Sequence, residues 1–376
     1  MGRQIVICLD GTGNKVSSKL NTNIVHIYSC LLKNNNQLSF YHPGVGTFVP
    51  DWSNSLSKKY YKIANSVFGN SVDDQVIDAY NFLMENYEQG DKIFVFGFSR
   101  GAYSARKLAG LLFNFGLLDK GNLTHFKQLL MNYNNTNFDF PLARKIKYNF
   151  SRIIEIQFLG LFDTVIAKFG LITPYFSFPN SKYLSIANEV RHAVSIDEKR
   201  KQFYYDSIDL RHPNSKEVFF SGVHSNIGGG YKNEGLSKIV LEWMLGEATH
   251  AGLILKKSKV DKIIYGLGSK YQAPNFKDSI EDSLWKTFYF LLLIIPSRNI
   301  EIVKVPDEIY NNLQIRWDWR ISGIREIPDN ACIHSSVIEK INFKEKKNIY
   351  KPNNLTRFMS KNKYTIIENL DIRYKV

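Results

Sequence analysis

Residues 92–106 read KIFVFGFSRGAYSAR, from Lys92 to Arg106. Ile93 to Phe98 form an unbroken apolar run, the pattern of a strand covered on both faces, as in parallel sheets. Gly90-Asp91 precede it and break the chain. From Arg100 the pattern changes to helical spacing and holds through Leu112. Gly97-Phe98-Ser99-Arg100-Gly101 at the junction is G-x-S-x-G in a strand–turn–helix setting. A turn that tight needs small flanking residues, and a strained Ser99 lifts its hydroxyl out of the backbone. The helix N-terminus adds positive potential beneath it. Ala102, Ser104 and Ala105 are small enough for close helix packing.

Working outward, the same unit recurs. Gln4 to Leu9 is an apolar run that ends in Asp10-Gly11-Thr12-Gly13. Residues 152–162 end at Asp163, residues 190–196 at Asp197, and residues 217–223 at His224. Helical spacing fills 14–33, 71–88 and 236–250, with Asp73 and Asp74 near a helix start. Apolar strands with polar tips and helices between them predict an α/β fold: a mostly parallel central sheet flanked by helices. Residues 1–275 are expected to form the catalytic unit, with insertions near 119–150 and 166–188. Residues 276–376 are expected to form a C-terminal extension, either a cap or the completion of the same domain.

Composition narrows the chemistry. The 376 residues include 3 cysteines and no CxxC pair, so neither a thiolate zinc site nor a disulfide framework is expected. Cys8 reads as a small core residue. HExxH and a P-loop are also absent, and neither metal nor cofactor is expected. Lys plus Arg exceed Asp plus Glu by 49 to 35, a net +14 that favours an anionic surface. Zinc-finger, helix-turn-helix and RNA-binding signatures are missing, which disfavours nucleic acid. The N-terminal run, Ile5 to Leu9, lacks the pattern of a cleavable signal. The expectation is a cytoplasmic protein, or one secreted without such a signal. Phe288 to Ile295 is uncharged and apolar but shorter than the roughly 20 residues that span a bilayer as a helix. It reads as a buried element or as a peripheral membrane contact.

A serine hydroxyl needs a base, and the base needs an orienting carboxylate. The α/β-hydrolase chain order is Ser, acid, His. Strand tips of a parallel sheet share one edge, so Ser99, Asp163 and His224 can converge there. Asp197 is the alternate acid and His334 the alternate base. His192, inside a strand pattern, reads as structural. For an oxyanion, the backbone N–H of Arg100 is one expected donor, and Gly11 or Thr12 supplies the second. Asp10 would shape that loop or steady Thr12, although the whole stretch also fits a plain tight turn. Gly228, Gly229 and Gly230 read as a loop carrying His224, as an anion nest or as a simple turn. Arg100 and Arg106 either face an anionic headgroup or pair with acids near the sheet edge. The expected reaction is hydrolysis of a carboxylic ester through an acyl-enzyme. A lipid ester leads, because the 288–295 run and the net +14 suit an anionic bilayer surface. A small soluble ester, thioester or amide is the alternative, and a non-catalytic scaffold is the third reading.

Six ordered stretches carry a family likeness. They are Asp10-Gly11-Thr12-Gly13-Asn14, Thr22-Asn23-Ile24, Gly97 to Arg106, Gly160 to Val165, His192 to Glu198, and Gly222 to Tyr231. Over residues 4–250 the sequence resembles the bacterial and fungal family of largely uncharacterised α/β-hydrolases that includes type VI secretion system phospholipase effectors. The resemblance implies Ser99 as nucleophile, an Asp and a His completing a triad, acyl esters of glycerophospholipids as substrates, and an additional membrane-meeting module. For an effector it also implies an immunity protein as partner. Two positions depart from the family pattern: Asn226 stands where Asp is usual, and Phe162 where Trp is frequent.

Overall fold

The computed structural model describes residues 2–11, 14, 16, 20–44, 70–134, 139–165, 184–200, 203, 205–281, 297–303, 312–318, 323–343, 349–361 and 363–374. Thr12, most of the 166–188 stretch and the apolar run 288–295 lie outside the described residues. The strands are β1 (Gln4–Leu9), β2 (Gln37–His42), β3 (Lys92–Phe98), β4 (Leu117–Leu118), β5 (Ser151–Arg152), β6 (Ile156–Phe162), β7 (Val190–Ser195), β8 (Ser215–Phe220), β9 (Ser297–Val303), β10 (Asn312–Asp318), β11 (Cys332–His334) and β12 (Thr365–Ile367).

Eight of them make one sheet in the order β12-β11-β8-β7-β6-β3-β1-β2. Every pairing in it is parallel. The fold is α/β, and the apolar runs read from sequence are its central strands. Residues on β1 and β3 alternate between two cores. Ile5, Ile7, Leu9, Ile93 and Val95 face one, with helix Asn70–Asn86 and helix Arg100–Phe115. Val6, Cys8, Phe94, Phe96 and Phe98 face the other, with helix Asn23–Cys30 and helix Gly235–His250. Each fully buried aliphatic or aromatic side chain contributes about 1.5–3 kcal/mol of transfer free energy. The two-sided burial of β3 explains why its sequence shows no polar alternation.

The chain leaves β1 toward β2 on one side and continues from β3 toward β6, β7 and β8 on the other. That makes β1/β3 the topological switch point, where ligand crevices open beyond the strand ends. Asp10 and Gly11 end one of these strands and Ser99 the other.

Several boundaries differ from the sequence reading for local reasons. The helix after Ser99 continues to Phe115, where Gly116 at φ 72° ends it with its N–H on the Leu112 carbonyl. The 152–162 stretch is divided: β5 pairs antiparallel with β4, and β6 begins only at Ile156. β8 ends at Phe220, so Ser221 to Val223 lead into the short helix His224–Gly228. Helices Leu123–Tyr133 and Phe140–Phe150 occupy the 119–150 excursion. In the C-terminal part, β11 pairs with β8, and β12 with β11, extending the same sheet.

Two glycines hold the strand–helix junction together. A Cβ on Gly97 would lie 2.5 Å from the Gly101 carbonyl oxygen, and one on Gly101 would lie 2.2 Å from that of Leu9. Both obstacles are backbone atoms. Gly97→Ala should therefore lower stability by about 1–3 kcal/mol, the usual cost of overpacking. A thermal melt reads this as a clear drop in Tm, and an unchanged Tm would show that the junction has slack.

Candidate active site

Ser99 sits between β3 and its helix at φ 58° and ψ −121°. Its N–H donates to the Phe162 carbonyl at 3.0 Å, tying the turn to the end of β6. Asp163, the next residue after β6, is also at positive φ, 42°. Its own N–H donates to the Ala193 carbonyl of β7 at 2.7 Å. His224 begins a short helix after β8, and its N–H donates to Glu198 Oε2 at 3.2 Å. Its ring lies between those of Phe98 and Phe203, at centroid distances of 4.7 and 4.9 Å.

The three tips meet. His224 Nε2 is 2.8 Å from Ser99 Oγ, and His224 Nδ1 is 2.6 Å from Asp163 Oδ2. With a proton on Nδ1 donated to the carboxylate, Nε2 presents its lone pair to the serine hydroxyl. Asp163 also accepts from the Ser195 N–H at 2.9 Å and the Ser195 hydroxyl at 3.3 Å. Arg325 forks onto both carboxylate oxygens, Nη1 to Oδ1 at 2.6 Å and Nη2 to Oδ2 at 3.1 Å.

Burial alone would raise the Asp163 pKa. The Arg325 charge and the hydrogen bond from His224 overcome it and hold the carboxyl well below the usual range. Burial lowers the His224 pKa, and Asp163 opposes that only in part. The imidazole is thus neutral and able to accept a proton at neutral pH. Glu198 is pushed up by burial but brought down to about 2 by its hydrogen bonds and charge pairing with Arg200.

The alternates are placed elsewhere. Asp197 accepts from the Gly222 N–H at 2.6 Å and the Tyr350 hydroxyl at 2.8 Å, and burial raises its pKa to about 6. It braces the loop before His224 and does not bond to that imidazole. His334 bonds to Ser336 and Asn369 and stacks on Phe220. His192 is a buried anchor, with Nδ1 2.8 Å from Glu217 Oε2 and Nε2 accepting the Thr164 N–H.

The structure also places the other loop and arginine candidates. The Gly11 N–H donates to Asp10 Oδ1 at 2.8 Å, so Asp10 shapes this loop. Asp10 holds Thr22 and Tyr41 through its other oxygen, with burial raising its pKa to about 6. Of the two readings of Arg106, the structure carries the pairing: it is fully buried, paired with Asp206 at 3.0 Å and donating to the Asp206 and Ser207 carbonyls. A Cβ on Gly11 would come 3.0 Å from Ser99 Cβ, so this loop does border the serine.

The remaining motif residues are scaffolding. Asn23 Nδ2 donates to the Ile227 and Ser237 carbonyls, and Thr22 bridges to Gly229. Gly229 and Gly230 have φ of 83° and 104°, while a Cβ on Gly228 would strike the Phe98 ring. Asn226 accepts the Val223 N–H through Oδ1, closing the turn before His224. The sequence reading missed Arg325, Glu198, Ser195 and Phe203. Glu198 and Ser195 flank a strand tip and fall in the His192–Glu198 stretch, which gave them no role, whereas Arg325 has no cue. Among the described residues no cluster of His, Cys, Asp and Glu could hold a metal, and no helix is long and apolar enough to cross a membrane.

The model of the type VI secretion system Tle1-like phospholipase effector catalytic domain matches residues 3–247. The chain belongs to this family. Among curated proteins it is similar to the uncharacterized protein YEL023C of Saccharomyces cerevisiae, 36% identical over a 221-residue alignment that covers 54% of this chain and 32% of the yeast protein. The chain thus spans about a third of that relative's length. Among solved structures it is similar to an uncharacterized protein from Pseudomonas aeruginosa (TM-score 0.43, 20% identity, 73% of this chain and 49% of that one). It is also similar to the Tle1 effector bound to the VgrG spike of the type 6 secretion system (TM-score 0.36, 22% identity, 61% and 51%). The matched span of this Tle1-like chain holds Ser99, Asp163 and His224, while Arg325 lies beyond it.

The geometry separates the candidate acids and bases. Asp163→Asn should lower turnover of an activated ester by about 10,000-fold, the loss expected when a triad acid is neutralised. Asp197→Asn and His334→Ala should stay within about tenfold of wild type. Steady-state assays on variants with native circular dichroism decide this, and an inactive His334→Ala beside an active His224→Ala would reverse the assignment.

Proposed function

We propose that the chain is a serine esterase that cleaves acyl esters of lipids, with glycerophospholipids as the leading substrates. The observation that carries this reading is the hydrogen-bonded run Ser99–His224–Asp163, at 2.8 and 2.6 Å, on a serine held at positive φ. Membership in the Tle1-like family supports the lipid ester.

In this reading His224 Nε2 takes the Ser99 proton as Oγ attacks the ester carbonyl. Asp163 stabilises the imidazolium formed. The N–H of Arg100, in the first helical turn, meets the oxyanion, with Gly11 or Thr12 as the second donor. His224 then protonates the leaving alcohol, and water repeats the sequence on the acyl-enzyme. A fluorophosphonate probe should label Ser99, as located by peptide mass spectrometry, and Ser99→Ala should abolish both labelling and ester turnover. Undiminished turnover in Ser99→Ala would remove the hydrolase reading.

Contact with an anionic membrane surface is also part of the proposal. The run 288–295 lies outside the described residues, but helix Phe140–Phe150 supports such a contact. It exposes Phe140, Leu142, Tyr148 and Phe150 beside exposed Arg144 and Lys145, and Ala143 is the residue it buries. Aromatic and basic side chains together suit an anionic interface. Replacing Tyr148 and Phe150 by Asp should reduce binding to vesicles rich in anionic lipid and leave short-chain ester turnover unchanged. Equal binding of variant and wild type would take this helix out of the interface.

A further inference from the structure

We infer that Arg325 is a positioning residue for the acid of the triad, supplied to the site by chain beyond the family-matched span. The inference rests on the proposed roles of Ser99, Asp163 and His224. Asp163 is fully buried, and the Arg325 side chain is 6% exposed. The guanidinium forks onto both Asp163 oxygens. It also donates to the Ser195 hydroxyl at 2.6 Å and to the Phe203 carbonyl at 2.8 Å. Arg325 thus fixes the carboxylate, the end of β7 and the residue whose ring lies against His224 in one arrangement.

The backbone around Arg325 is held in turn. Asn354 Nδ2 donates to the Arg325 carbonyl at 3.0 Å and to the Ile196 carbonyl at 2.9 Å. The Gly323 N–H donates to the Lys199 carbonyl at 2.9 Å. The C-terminal part therefore reaches the acid through one side chain whose register is set on both flanks. A bidentate arginine–carboxylate pair fixes geometry as well as charge.

The electrostatic consequence has a definite sign. A cation on Asp163 reduces the negative potential that stabilises the imidazolium of His224. The charged groups facing His224 are Asp163, Glu198 and Arg200, with Arg325 one carboxylate further away. Removing the Arg325 charge strengthens the pull of Asp163 on a His224 proton, so His224 then stays protonated, and unable to act as base, up to a higher pH.

The test is the rate of Ser99 labelling by a fluorophosphonate as a function of pH, which needs no knowledge of the natural substrate. In Arg325→Gln the acidic limb of the profile should move up by about one pH unit, and the plateau should fall. Arg325→Lys retains the charge and should keep the wild-type limb, with a plateau at least about tenfold lower because an amine cannot fork both oxygens. A folded Arg325→Gln with a wild-type limb would overturn the inference. If Arg325→Gln does not fold, Arg325→Lys decides, and a wild-type plateau in it overturns the inference as well. Absence of Ser99 labelling in the wild-type protein at every pH is a different result, and it removes the proposed function itself.

Discussion

A non-glycine residue at φ 58° can continue neither the strand before it nor the helix after it. Ser99 is held there against a local cost of about 1–3 kcal/mol because its surroundings leave no alternative. β3 is clamped between β1 and β6, the Ser99 N–H is fixed on Phe162, and the helix starts at once with its Tyr103 N–H on the Ser99 carbonyl. Gly97 and Gly101 let strand and helix approach to a distance that any side chain would block. The reward is geometric: the hydroxyl stands clear of its own backbone and in reach of His224.

The second constraint is the burial of charge. Asp163 has no exposed surface, and a lone carboxylate there would be neutralised or would disrupt the fold. Among the described residues four donor groups answer it: the Ser195 N–H and hydroxyl, His224 and Arg325. Two of these belong to the tip of β7, one to the loop after β8, and one to the chain preceding β11. The acid is the point at which the sheet edge and the C-terminal part of the chain become mutually dependent. Asp197 and Glu198 extend this arrangement by fixing the backbone of the His224 loop at Gly222 and at His224 itself.

The central strands were legible because burial on both faces leaves uninterrupted apolar runs, and Ser99, Asp163 and His224 stand at or just beyond their polar tips. The two strands at the C-terminal side of the sheet were not legible. β11 and β12 are three residues each, too short to show any period. The β8 boundary was read late because Gly222 and Val223 continue its apolar look into a turn. Arg325 was invisible for a deeper reason: it sits in a stretch without periodicity, and nothing in Ile324-Arg325-Glu326 sets it apart from a surface arginine. Sequence shows the Gly11 N–H as a backbone donor but does not show that the preceding Asp10 carboxylate accepts it.

Acid-quenched intact-protein mass spectrometry during turnover of a p-nitrophenyl ester tests the acyl-transfer chemistry most directly. In the first turnovers the expected spectrum carries one added acyl group per chain, mapped to Ser99, with release of nitrophenol in a burst of about one equivalent. Steady product formation with no acylated protein at any time, no burst, and the same rate in Ser99→Ala would contradict a serine nucleophile and indicate direct attack by water.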